Sequence, residues 1–154
     1  MKHILFFLFS ASLLIMACSS VKKGNSSTVM QGITGFITET RGNQMPMKDA
    51  PPRSPGGILT TVFVYESTNL TQVSRIGTSP VYTAVNTKLV ASVDTDSSGA
   101  FTVALPAGSY SLFVKQGKQL YANLFDTNNN IALFTVEEGK LTTARLSVNS
   151  RASF

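Results

Sequence analysis

The chain has 154 residues, a net charge of +5, one cysteine, one histidine and no tryptophan. That length supplies one domain with one core, and a single thiol excludes any disulfide within the chain. The thirteen Lys and Arg are scattered, with no run of five, so the surplus charge marks a mixed solvated surface and no nucleic-acid partner.

Met1, Lys2 and His3 precede an apolar run from Ile4 to Met16. A basic start and a short apolar run make a secretory leader, too short to span a bilayer. Residues 1–17 are therefore expected to be a signal peptide. The run closes on Leu14-Ile15-Met16-Ala17-Cys18, which resembles a bacterial lipobox. That resemblance implies a diacylglycerol on the Cys18 thiol, a membrane anchor and no other cofactor. It also implies, with serines at 19 and 20 and no acidic run behind them, an outer-membrane lipoprotein facing the periplasm, with surface exposure the other option. Cleavage would remove His3, the sole histidine, while lipid would occupy the sole thiol. A Ser-His-Asp triad, a Cys-His dyad and a zinc site built on His or Cys would all be out of reach. The chain is expected not to be an enzyme.

Residues 18–31 are polar and small, a flexible tether by composition. The domain then occupies 32–154, with a first strand near Ile33 to Thr40. Residues 41–57 hold four prolines and three glycines, too many missing donors for a core strand, so a long exposed loop is predicted. Ile58 to Glu66 is apolar on both sides, as a central strand would be. Ser67 to Pro80 predicts a polar connection with a short turn around Leu70. Within Val81 to Val93 one strand is predicted, over Thr87 to Val93. Phe101, Val103 and Leu105 alternate with Thr102 and Ala104; Tyr110, Leu112 and Val114 alternate with Ser111 and Phe113. Period two marks strands with one buried face. The turns Asp96-Ser97-Ser98-Gly99 and Pro106-Ala107-Gly108 predict a pair of central hairpins around them. Gln116-Gly117 is a tight turn, and Leu120 to Phe125 returns from it. Asp126 to Asn130 is a cluster of turn formers. Ile131 to Val136 and Leu141 to Val148 complete an all-β, antiparallel Greek-key sandwich of about seven strands.

Thr95-Asp96-Ser97-Ser98-Gly99-Ala100-Phe101 and Leu105-Pro106-Ala107-Gly108-Ser109-Tyr110-Ser111-Leu112 resemble the central pattern of carboxypeptidase regulatory-like domains, the transthyretin-like (prealbumin-like) sandwich. Gly32-Ile33-Thr34-Gly35-Phe36-Ile37 resembles that family's first strand, one residue shorter between its glycines. The resemblance spans roughly residues 31 to 148 and implies an accessory module with no particular activity. The runs Arg41 to Pro46, Tyr110 to Lys115 and Leu120 to Asp126 also resemble short single-domain lipoproteins of Gram-negative bacteria.

Few groupings carry chemistry. Asp94, Asp96 and Ser98 with Gly99 match the start of a calcium loop, but Leu105 stands where its bidentate Glu should be, so a plain turn is expected. Met45 and Met47 place two soft sulfurs on the proline-rich loop, a copper-like pair with no imidazole beside it. They remain candidate binding residues, and no metal site is expected. Glu137 and Glu138 are adjacent, so their side chains diverge along a strand and cannot flank one bond. Tyr121, Asn123 and Asp126 form a candidate polar and aromatic patch for a glycan or peptide, because Tyr121 and Asn123 share a strand face. Tyr110, just after a turn, is expected to bury its ring and bond its hydroxyl to a nearby loop.

The function expected from these features is that of a membrane-anchored envelope lipoprotein, binding or structural, whose loops meet an envelope protein partner. The alternative is a glycan-binding module for peptidoglycan or polysaccharide, which a groove lined by exposed Tyr65, Tyr82 or Tyr121 would favour.

Overall fold

Alternation and turn chemistry place strands wherever apolar residues recur at every second position. The computed structural model describes residues 30–43 and 55–153. Among them the chain forms β1 (Gly32–Asn43), β2 (Gly56–Gly57), β3 (Thr61–Glu66), β4 (Val73–Arg75), β5 (Val81–Val85), β6 (Leu89–Asp94), β7 (Ala100–Ala104), β8 (Gly108–Gln116), β9 (Gln119–Tyr121), β10 (Leu133–Val136) and β11 (Leu141–Ser153). The only helical piece among the described residues is a 3-10 turn, Leu70–Gln72, at the leucine where a turn is predicted.

Two sheets form the sandwich. The smaller orders β11-β1, with β7 and then β2 along the other side of β1. The larger orders β4-β5-β9-β8-β3-β6, with β10 sharing the β9 side of β8. Ile33, Ile37, Phe101, Ala144, Leu146 and Val148 of the small sheet, with Leu105 just after β7, belong to one buried cluster with Val62, Val64, Leu112, Val114 and Tyr121 of the large sheet. The all-β sandwich is thus the architecture the alternation predicts, with two departures. Eleven strands replace about seven, because short strands such as β4 pair at the sheet margins where the sequence looks like polar connection. One pairing, β1 with β11, is parallel and runs from Gly32 opposite Leu141 to Asn43 opposite Ser153.

The central hairpins do not form. Strand β7 pairs with β1 in the small sheet, while β6 and β8 both pair with β3 in the large one. Both turns therefore cross from sheet to sheet. At the first crossing Asp96 Oδ1 accepts the Ser98 N–H at 2.8 Å, the Ala100 N–H at 2.9 Å and the Ser98 hydroxyl at 2.6 Å. Thr95, buried, donates its hydroxyl to the Ile58 carbonyl at 2.7 Å and accepts the Thr60 N–H at 2.8 Å. At the second, the Tyr110 ring is buried and its hydroxyl donates to the Pro106 carbonyl at 3.1 Å, as expected of that tyrosine.

The large sheet is covered on both faces. Leu112 and Val114 of β8 face the small sheet, yet Ser111 and Phe113 between them are equally buried. The segment after β3 supplies the second cover. Buried Thr68 donates its N–H to Ser111 Oγ at 3.0 Å, and its carbonyl accepts the Ile131 N–H at 2.8 Å. Asn69 caps the 3-10 turn, and Phe113 lies edge-on to Tyr65 and Tyr82, at 5.5 and 5.4 Å between ring centroids. This explains why β3 is apolar on both sides.

Asp96 and Asp126 are held below the usual aspartate range. The Ser98 hydroxyl and then the Ala100 N–H act on Asp96; the Asn130 side chain and then its N–H act on Asp126. A carboxylate depressed in the folded state stabilises the fold above its unfolded pKa, and that contribution is lost as pH falls through the folded value. Acidification from about pH 6 to about pH 2 should therefore lower the urea midpoint. Asp96→Asn should start lower and fall less, which parallel urea titrations of the two proteins would read. Equal slopes would remove Asp96 from the account.

Candidate functional site

The small sheet carries the features that the core does not use. Along β1, Ile33, Gly35, Ile37 and Glu39 are buried, which leaves Thr34, Phe36 and Thr38 on the outward phase. Phe36 is 49% exposed, unusual for an aromatic on a strand whose alternate residues are fully buried. The parallel register sets Phe36 opposite Arg145 and Thr38 opposite Ser147. Together with buried Leu146 these residues line a groove of about 340 Å³. No described carboxylate pairs with Arg145; the ion pairs among the described residues join Arg41 to Glu39 and Lys140 to Glu137. The Thr38 and Ser147 hydroxyls likewise have no hydrogen-bond partner among the described residues, whereas Thr34 and Thr102 beside them share a bond at 2.9 Å.

The groove adjoins the base of the connection between β1 and β2. Thr38 pairs with Gly57 and Glu39 with Gly56 in antiparallel register, so the returning chain rejoins the sheet beside β1, four residues before β1 ends at Asn43. Three backbones meet there. The Ile37 N–H donates to the Gly99 carbonyl at 2.8 Å, and the Ile58 N–H donates to the Ile37 carbonyl at 3.2 Å. A Cβ on Gly57 would stand 1.8 Å from the Ser98 carbonyl oxygen, and one on Gly99 would stand 2.2 Å from that of Ile37. Glu39, 8% exposed, is held at the same end by Arg41, whose Nε donates to the carboxylate at 2.5 Å. The predicted loop 41–57 is therefore narrower than expected: its two ends are strand.

The candidate residues from the sequence fall elsewhere. Cys18, Met45 and Met47 lie outside the described residues. Tyr121 is 1% exposed, and its hydroxyl donates to Asn149 Oδ1 of β11 and accepts the Asn149 N–H at 3.3 Å. Burial pushes that phenol up, as it does those of Tyr82 and Tyr65. Asp126 is exposed, and its Oδ1 accepts the Asn128 and Asn130 N–H groups, both at 2.8 Å, closing its own turn. The predicted surface patch of Tyr121, Asn123 and Asp126 thus does not exist: β9 ends at Tyr121, alternation stops, and both Tyr121 and Ala122 enter the core. Tyr82 is also fully buried and Tyr65 packs on Phe113, so the three tyrosines line no surface groove. Asp94 accepts a hydrogen bond from Thr61 and Asp96 closes a turn, and no group of three or more His, Cys, Asp or Glu among the described residues is arranged to hold a metal ion.

Sequence reasoning missed Phe36 and Arg145. The available cue was an aromatic on the polar phase of the first strand, between Thr34 and Thr38. The chain matches no protein-family model, no curated protein and no solved structure.

Proposed function

We propose that the chain is a non-enzymatic envelope lipoprotein, anchored through lipid on Cys18, whose sandwich presents one end of its small sheet to a protein partner. The observation that supports this reading is the stem at Thr38–Gly57 and Glu39–Gly56. It fastens the returning end of a proline-rich connection to β1, at a junction too tight to admit a Cβ at Gly57 or Gly99. A base fixed by backbone contacts limits the entropy lost when such a connection is bound. The leader, the lipobox-like run and the tether agree with delivery of this domain to a membrane surface.

The test uses crosslinked membranes from cells making the full chain, the full chain with residues 44–54 replaced by a short Gly-Ser linker, and Cys18→Ser. One protein crosslinked to the intact chain, and not to the loop-replaced chain, is expected. Cys18→Ser should leave the membrane fraction. Identical crosslinks with and without residues 44–54 would defeat the partner reading, and a membrane-bound Cys18→Ser would defeat the anchor.

A further inference from the structure

We propose that the groove between β1 and β11 is a binding site for an acidic sugar, one carboxylate-bearing ring of a polysaccharide. This goes beyond the protein-partner reading and does not depend on it.

The occupant follows from what the groove offers. Its volume of about 340 Å³ is at the small end of ligand sites and suits one ring with its substituents. Arg145 presents a guanidinium fork with no carboxylate partner among the described residues, and the other residues lining the groove are hydroxyl-bearing or apolar. A planar fork is matched by a carboxylate, which it binds through two parallel N–H donors. Phe36, the register partner of Arg145, supplies an apolar plate on which the C–H face of a pyranose can be buried. The Thr38 and Ser147 hydroxyls, each a donor and an acceptor, are free to meet ring hydroxyls. A peptide carboxylate would use Arg145 but would leave those two hydroxyls without purpose. The backbone beneath is held on both sides of β1, by β11 and by β7, so the four side chains stand on rigid strands.

The experiment is a titration of the ¹⁵N-labelled full chain in detergent micelles, followed by amide chemical shifts. Three probes are compared: trigalacturonate, its fully methyl-esterified form, and a capped Gly-Glu-Gly peptide. Trigalacturonate should shift amides in 34–38 and 143–147 and leave β3 to β6 unmoved. Esterification should weaken binding about tenfold or more, the loss expected of one charge-assisted contact. Arg145→Gln should do the same to the acid and nothing to the ester, while Arg145→Lys should retain part of the affinity. Phe36→Ala should weaken acid and ester alike. Both positions are on the outer face, and amide spectra of the unliganded variants establish that they fold. Absence of shifts in those segments, unchanged affinity in Arg145→Gln, or equal binding of the peptide would each overturn the assignment. Loss of the protein crosslink described above would leave these outcomes untouched.

Discussion

Gly99→Ala is expected to destabilise the fold by about 3 kcal/mol or more. Two costs combine at this residue. Its φ of +82° lies in the left-handed region, where an L side chain costs roughly 1–2 kcal/mol. The new Cβ would also stand 2.2 Å from the Ile37 carbonyl oxygen, and forcing atoms into a packed site typically costs about 1–3 kcal/mol. Neither Ile37 nor Gly99 can retreat alone, because the Ile37 N–H is bonded to the Gly99 carbonyl. Gly77 supplies the control: its φ is +56° but nothing lies within 4 Å of a Cβ there. Urea unfolding of both alanine variants separates strain from contact. A midpoint for Gly99→Ala no lower than that of Gly77→Ala would show that the three-backbone junction gives way easily.

The second large effect is expected at Phe113. This ring is fully buried although it lies on the face of β8 turned away from the small sheet. Truncating a buried phenylalanine to alanine costs about 3–5 kcal/mol. The edge-on contacts with Tyr65 and Tyr82 put Phe113 toward the upper part of that range, since such pairs add roughly 0.5–1.5 kcal/mol each. Phe125→Ala, at a ring 45% exposed, should change stability by no more than about 0.5 kcal/mol. Thermal or urea melts of the two variants decide the matter. A small effect at Phe113 would mean that the segment from Thr68 to Arg75 is only a loose covering and the second core contributes little.

What could be foretold from the residues was local, and what could not was the partner of each element. The Asp96 turn is a clear case. Its carboxylate, hydroxyl and glycine make the same hydrogen bonds whether the strands on either side pair with each other or separate into two sheets. The turn was therefore legible and the crossing was not. Tyr121 shows the converse. Alternation through Leu120 to Phe125 suggests a continuing strand with one polar face, but the strand stops at Tyr121 and two consecutive side chains enter the core. Phe113 looked like the outward half of an alternating strand. Only the return of Thr68 over Ser111 shows that this face is covered too. The groove was hidden for a related reason: Phe36 and Arg145 are far apart in sequence, and only the parallel register makes them neighbours.

That same register has a mechanical consequence. Gly32 and Leu141 lie side by side at one end of the β1–β11 ladder, and Asn43 and Ser153 lie at the other. A pull between the start of β1 and the end of β11 slides the two strands along each other. Their rungs are then loaded together in shear, where an antiparallel hairpin pulled at its open end would unzip one rung at a time. Were the domain loaded from its amino-terminal side, as the proposed anchor would load it, the strand that takes the force first would also be the one locked in place by Gly99 and bordered by the groove.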